Sequence, residues 1–287
     1  MNKLYIFIFA CILLISCSQQ KDNIAHTESR SVKVISLAPS ITEIVCAISG
    51  TNVLAGRTSA CDYPPEIKYI PIIGGFGTPS LEAILKIEPS VILATDLADP
   101  SIAHQMTALG LHYEHINCKK LDDIPFAIEL IGQLIGYEAQ GKELAENIRA
   151  EITTLRARAE TITNRPLVYA EIWHDPIMTA GKGSFLSDII HLAGGKNIGD
   201  DIEKDFFQID PEWVISRNPD IIFCFYMSKD GSARSTIAAR PGWKNVKAVS
   251  SSNVFDGLDN NLVLRPGPRV IEGIKIIMQK IQSANVK

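Results

Sequence analysis

One pattern occurs twice in this chain, at a constant offset of 130 residues. The first copy runs Ser80-Leu81-Glu82-Ala83-Ile84-Leu85-Lys86-Ile87-Glu88-Pro89 and continues into the apolar Val91-Ile92-Leu93. The second runs Asp210-Pro211-Glu212-Trp213-Val214-Ile215-Ser216-Arg217-Asn218-Pro219 and continues into Ile221-Ile222-Phe223. Each predicts a short helix opened near a glutamate, a turn forced by proline, and a buried strand. A second pair lies in the same order. Thr42-Glu43-Ile44-Val45 and Ser187-Asp188-Ile189-Ile190 both lead to Gly-x-Asn-aliphatic, at Gly50 to Val53 and Gly195 to Ile198. Two ordered correspondences imply two similar lobes.

Between the copies lies a proline-free stretch, Gln140 to Ile162. Leu144, Ile148, Ile152, Leu155, Ala159 and Ile162 recur at steps of three and four, so they share one helical face. Lys142, Glu143, Glu146, Arg149, Glu151, Arg156, Arg158 and Glu160 supply the solvated face. At 1.5 Å per residue the helix reaches roughly 35 Å, enough to join the lobes alone.

The amino terminus carries a different message. Lys3 precedes twelve apolar residues, Leu4 to Ile15, which are too few to span a bilayer and suit a signal peptide. Leu14-Ile15-Ser16-Cys17 resembles a bacterial lipobox, whose cysteine becomes the lipidated first residue of the mature protein. Polar residues persist from Ser18 to Ser31, the composition of a tether. The expected division is therefore a signal peptide over 1–16, a tether over 17–31 and an N-terminal lobe over 32–137. A linking helix over 138–163 and a C-terminal lobe over 164–287 follow. The protein is expected outside the cytoplasm, held to a membrane only through lipid.

Net charge is −4, and becomes −5 once residues 1–16 and their single Lys3 are removed, which argues against nucleic acid as a partner. Cys46 and Cys224 sit in apolar contexts that suit buried thiols, whereas Cys61 and Cys118 fall in loops where a bridge is one alternative. No CxxC or Cys/His cluster reads as a metal site.

Strand and helix signals alternate in both halves, so the fold class expected is α/β, two Rossmann-like lobes with parallel sheets and a ligand cleft between them. In such sheets ligands sit where strands end at their carboxyl edges. The exit loops carry Ser40, Asp62, Tyr63, Phe76, Thr95, Trp173, His174, Phe206, Tyr226, Asp256 and Arg265. This mixed aromatic and polar set suits a large ligand with an apolar body and a polar rim. Trp173 is favoured because it follows a strand and precedes a proline turn. His174 is a candidate ligand to a metal centre inside a bound molecule. Gly181-Lys182-Gly183-Ser184 and Gly74-Gly75-Phe76-Gly77 match neither a P-loop nor a dinucleotide fingerprint, so no cofactor is expected. No nucleophile elbow or HExxH helix appears, which leaves an exported enzyme as the weaker alternative.

Several segments together resemble the helical-backbone substrate-binding proteins of ABC importers. They are Val34 to Glu43, Asp62-Tyr63-Pro64-Pro65, Leu81-Glu82 through Pro89, Gly194-Gly195-Lys196-Asn197-Ile198 and Leu264-Arg265-Pro266-Gly267-Pro268-Arg269. Asp-Tyr-Pro-Pro and Arg-Pro-Gly-Pro-Arg point most to the cobalamin-binding branch. The resemblance implies a monomer that captures cobalamin or a related corrinoid and delivers it to a permease dimer with its ATPase subunits. A ferric siderophore or haem is the alternative cargo. It also implies that one glutamate at the tip of each lobe, Glu82 and Glu212, docks onto permease arginines. Their plain reading, acidic residues favoured at helix N-termini, is compatible with this.

Overall fold

The computed structural model describes residues 32–95, 100–226 and 232–284, so the signal peptide, Cys17 and the tether lie outside the described residues. The first lobe comprises β1 (Val34–Ser36), α1 (Pro39–Ser49), β2 (Leu54–Arg57), β3 (Gly74–Gly75), β4 (Thr78–Pro79) and α2 (Leu81–Ile87). It continues with β5 (Val91–Ala94), α3 (Pro100–Ala108), β6 (Tyr113–His115) and α4 (Asp123–Leu134). Its sheet runs β2-β1-β5-β6, parallel throughout. The two central strands, β1 and β5, are buried at every position because both faces of the sheet are covered there. Val91 and Leu93 point into the main core, while Ile92 and Ala94 point into a smaller one beneath α2 and α3.

After α5 (Glu138–Glu160) the second lobe comprises β7 (Leu167–His174), β8 (Ile177–Ala180), α6 (Phe185–Leu192), β9 (Lys196–Asn197), β10 (Phe206–Gln208) and α7 (Pro211–Arg217). It closes with β11 (Ile221–Cys224), α8 (Ala233–Ala239), α9 (Lys247–Ser250), β12 (Val254–Phe255), α10 (Asn260–Leu264) and α11 (Val270–Ser283). Strands β9, β7, β11 and β12 pair in parallel, while β8 pairs antiparallel with both β7 and β10. The hairpin corrects one expectation. The strand expected to end at Ile172 runs on to His174 and turns at Asp175-Pro176 into β8, so Trp173 and His174 are strand residues rather than exit-loop residues.

The 130-residue repeat is visible in the backbone. Helices α2 and α7 have seven residues each, and both end on a non-glycine residue in the left-handed conformation, Glu88 at φ 52° and Asn218 at φ 46°. Ile84 and Val214, again 130 apart, are the fully buried residues of the two helices. The other pair diverges, since Asn52 is exposed whereas Asn197 is buried and donates to the Ala180 carbonyl at 3.0 Å.

Helix α5 begins and ends two residues earlier than its periodicity suggests, and Gly141 in its first turn lies at the crossing with α4. A Cβ on Gly141 would lie 3.0 Å from the Gly132 Cα and 3.2 Å from the Ile128 carbonyl oxygen. The apolar face of α5, Ala145, Ile148, Ile152 and Leu155, joins residues of α1, α4, α6 and α11 in one continuous core. The lobes therefore share an interior, and α5 is a packed element rather than a bare strut.

Candidate functional site

The loops leaving β1, β5 and β6 face α10 and the β8–β10 region of the second lobe across a cavity of about 560 Å³. Its first-lobe wall includes Ala38, Ser40, Phe76, Thr95, Cys118 and Lys119. Its second-lobe wall includes Ile172, Phe185, Asp205, Phe206, Leu264 and Arg265. The position follows from the topology: parallel strands end at a shared edge, and their exit loops meet over it. Phe76 and Phe206 are 40% and 38% exposed, so two rings stand ready to cover an apolar face.

Five residues expected from the sequence line this cavity: Ser40, Phe76, Thr95, Phe206 and Arg265. Asp62 and Tyr63 sit beside it through their arginine partners. Tyr226 and Asp256 line a different cavity of about 550 Å³, together with Ser232 and Asn260. Trp173 and His174 line neither cavity. The Trp173 Nε1 donates to the Asp175 carbonyl at 2.8 Å, and the His174 ring stacks on Tyr226 at 4.9 Å. Burial pushes the Tyr226 hydroxyl pKa up, so it stays protonated. Lys119, Asp205, Phe185 and Leu264 were not anticipated, because contact across two lobes leaves no local spacing signal.

At Arg265 the cavity wall joins an ion-pair network of side chains from both lobes. Glu43 on α1 is 4% exposed. It accepts from Arg269 Nε at 2.8 Å and Nη2 at 2.7 Å, and from Arg265 Nη1 at 3.2 Å. Arg265 also donates to both oxygens of Asp62, at 2.6 and 3.2 Å. The Arg269 guanidinium lies 3.8 Å from the centre of the Tyr63 ring. The hydrogen bond from Arg265 holds the Asp62 carboxyl below its ordinary pKa. Burial alone would lower the pKa of Arg265, but its bonds to Asp62 and Glu43 reverse this and raise it. Elsewhere between the lobes, Lys120 Nζ donates to the Lys182 carbonyl at 3.0 Å and Leu121 N to Asp188 at 3.2 Å. The lobes are thus joined by more than the expected single helix.

The four cysteines among the described residues are free, so the alternative of a Cys61–Cys118 bridge is set aside. Cys61 is buried and accepts from Thr42 Oγ1 at 3.1 Å, while Cys118 lines the cavity. Burial pushes the Cys118 thiol to about 12, so at neutral pH it is not a thiolate. Glu82 and Glu212 are both exposed, each in the first turn of its helix.

Known proteins with this architecture span most of the chain. An uncharacterized ABC transporter substrate-binding lipoprotein of Bacillus subtilis, YvrC, is 28% identical, with 87% of this chain and 79% of that protein covered. A vitamin B12-binding protein of Vibrio parahaemolyticus is 26% identical over 89% of this chain and 91% of its own length. The haem-binding protein RhuT of Roseiflexus sp. RS-1 superposes with a TM-score of 0.78 at 28% identity, covering 88% of this chain and 98% of that one. The vitamin B12-binding protein BtuF of Vibrio cholerae superposes with a TM-score of 0.76 at 25% identity, covering 89% and 98%. The Periplasmic binding protein family matches residues 34–260. Two lobes sharing a core, a cleft at their strand ends and this match together show that the chain belongs to the periplasmic binding protein family.

Proposed function

We propose that this periplasmic binding protein of an ABC importer captures cobalamin or a related corrinoid in the cleft between its lobes and hands it to a permease. The family consists of substrate-binding proteins, so the exported-enzyme alternative falls away. The observation that carries the corrinoid reading is the make-up of the cavity wall. Phe76, Phe185, Phe206, Ile172 and Leu264 suit an apolar macrocycle, while Ser40, Thr95 and Asp205 suit its polar amide rim. Relatives that bind vitamin B12 support the same reading.

Haem is the second reading, favoured by the likeness to RhuT. Haem iron is ordinarily held by His, Tyr, Met or a Cys thiolate. Among the described residues lining the cavity there is no His, Tyr or Met, and Cys118 holds its proton. Arg265, which could meet a propionate, is already shared by two carboxylates. These features favour the corrinoid.

Calorimetry with cyanocobalamin should show one site of micromolar to nanomolar affinity, about −8 to −12 kcal/mol. No heat with cyanocobalamin, together with tight binding of haemin or a ferric chelate, would replace this reading with the second one.

Two companion roles follow. Glu82 and Glu212, exposed at equivalent points of the repeat, would pair with permease arginines, since a desolvated bidentate arginine–carboxylate pair is strong and directional. Replacing both by alanine should leave ligand affinity and melting temperature nearly unchanged while lowering transport in reconstituted vesicles. Normal transport by the double variant would reduce them to ordinary helix starts. Cys17 would carry the lipid, supported by its lipobox-like setting and by a relative named as a lipoprotein. Fatty-acid labelling that is equal in wild type and Cys17→Ala would contradict this.

A further inference from the structure

Arg265 lines the cavity, and two of its guanidinium nitrogens are already bonded to carboxylates. Its Nη1 contacts Glu43 at 3.2 Å and Asp62 at 2.6 Å, and its Nη2 contacts Asp62 at 3.2 Å. Glu43 is further held by two bonds from Arg269. The four groups together, two arginines and two carboxylates, carry no net charge. The two carboxylates differ in exposure: the Glu43 side chain is 2% exposed and the Asp62 side chain 56%. Glu43 is therefore a fixed part of the interior. Asp62 is the adjustable member, reached by solvent and removable without leaving a hole.

We infer that Asp62 determines which charge class the cleft accepts: by neutralising Arg265 from the solvent side, it makes the cleft favour a ligand that is uncharged at that wall over an anionic one. The inference rests on the corrinoid reading for the natural ligand, but its physical content concerns Arg265 alone. A guanidinium already bonded to two carboxylates offers an incoming anion little, because the anion must displace Asp62 or accept its repulsion. An uncharged amide edge faces no such conflict. Removal of Asp62 exposes one face of a cation at the cavity wall, where the surrounding apolar rings reduce screening. Asp62 is thus a specificity-determining residue, acting through Arg265 rather than by filling the cavity.

The test compares ligands that differ in charge and little else. Cyanocobalamin and the monocarboxylic acids made by hydrolysing one of its side-chain amides are titrated into wild type, Asp62→Asn and Asp62→Asn/Arg265→Gln, each confirmed folded by circular dichroism. Asp62→Asn is expected to raise the ratio of acid to amide affinity by about five- to tenfold. That gain should shrink in high salt and disappear in the double variant. Haemin is a second anionic probe on the same three proteins, expected to bind Asp62→Asn more tightly than wild type. If no corrinoid binds wild type, the corrinoid reading fails while the haemin series still decides the role of Asp62. A ratio unchanged within twofold in the corrinoid series, or an unchanged haemin affinity where corrinoids do not bind, would overturn the inference.

Discussion

Each lobe buries a glutamate, and the two are used differently. In the second lobe Glu171, on β7 and fully buried, is gripped by Arg240 at 2.6 and 2.7 Å and accepts from the Tyr169 hydroxyl at 2.9 Å. All three belong to the same lobe. In the first lobe Glu43 has no arginine partner of its own and takes two, Arg265 and Arg269, from the segment that ends the second lobe. A buried carboxylate must be paired wherever it lies. Pairing within a lobe hardens that lobe, whereas pairing across lobes sets how the lobes meet over the cavity. The same chemistry thus serves folding at one site and cleft geometry at the other.

The largest expected effect tests the within-lobe pair. Arg240→Ala leaves Glu171 buried and uncompensated, at a cost of roughly 3–5 kcal/mol. At about 2–4 °C per kcal/mol for a chain of this size, thermal denaturation should register a fall on the order of 10 °C. Arg265→Ala should cost less, about 1–2 kcal/mol, because Arg269 still holds both oxygens of Glu43. Equal losses from the two variants would erase the distinction between the sites.

The shared interior gives the next test. Gly141→Val drives side-chain atoms into α4 at Gly132 and should cost about 1–3 kcal/mol, seen as a lower urea midpoint. If the lobes behaved as independent bodies on a strut, unfolding would split into two transitions. A continuous core predicts that both halves respond together.

Cleft and hairpin can be compared by ligand affinity. Phe206→Ala removes a ring from the cavity wall and should weaken corrinoid binding by about 1–3 kcal/mol. Trp173→Ala should weaken it less, since Trp173 lies on β7 off that wall. Calorimetry giving the reverse order would return Trp173 to the site.

The smallest effect is the pH dependence of Asp62. Its folded pKa lies below its ordinary value, so its stabilisation is complete above that value and fades as pH falls through the depressed one. The difference in melting temperature between wild type and Asp62→Asn should be flat from about pH 7 to 5 and narrow below about pH 4. Because the carboxylate is half exposed, solvent screening limits it to a few tenths of a kcal/mol.

Much of this was legible because it is local. The proline turns at Pro89 and Pro219, apolar runs at Val91 and Ile221, and a three-four periodicity from Leu144 onward each report on a few neighbouring residues. The offset of 130 then exposed the two lobes without any tertiary information. The exit-loop rule placed Ser40, Phe76, Thr95 and Arg265 at the cavity, and Phe206 reaches it from strand β10 rather than from a loop. The rule misplaced Trp173 and His174, because a tight turn at Asp175-Pro176 followed by Ile177 to Ala180 reads equally well as an exit loop and as a hairpin. Tyr226 and Asp256 do sit at strand ends, but they line a second hollow. Sequence alone determined the alternating elements, the repeat, the long helix and the segments that carry the family likeness, since short-range spacing encodes these. Only the tertiary structure decided that Glu43 meets arginines more than 220 positions away, that Gly132 and Gly141 touch, and that Asp205 and Lys119 line one cavity. Those contacts depend on how two lobes close over a shared core, and no residue's immediate neighbours record that angle.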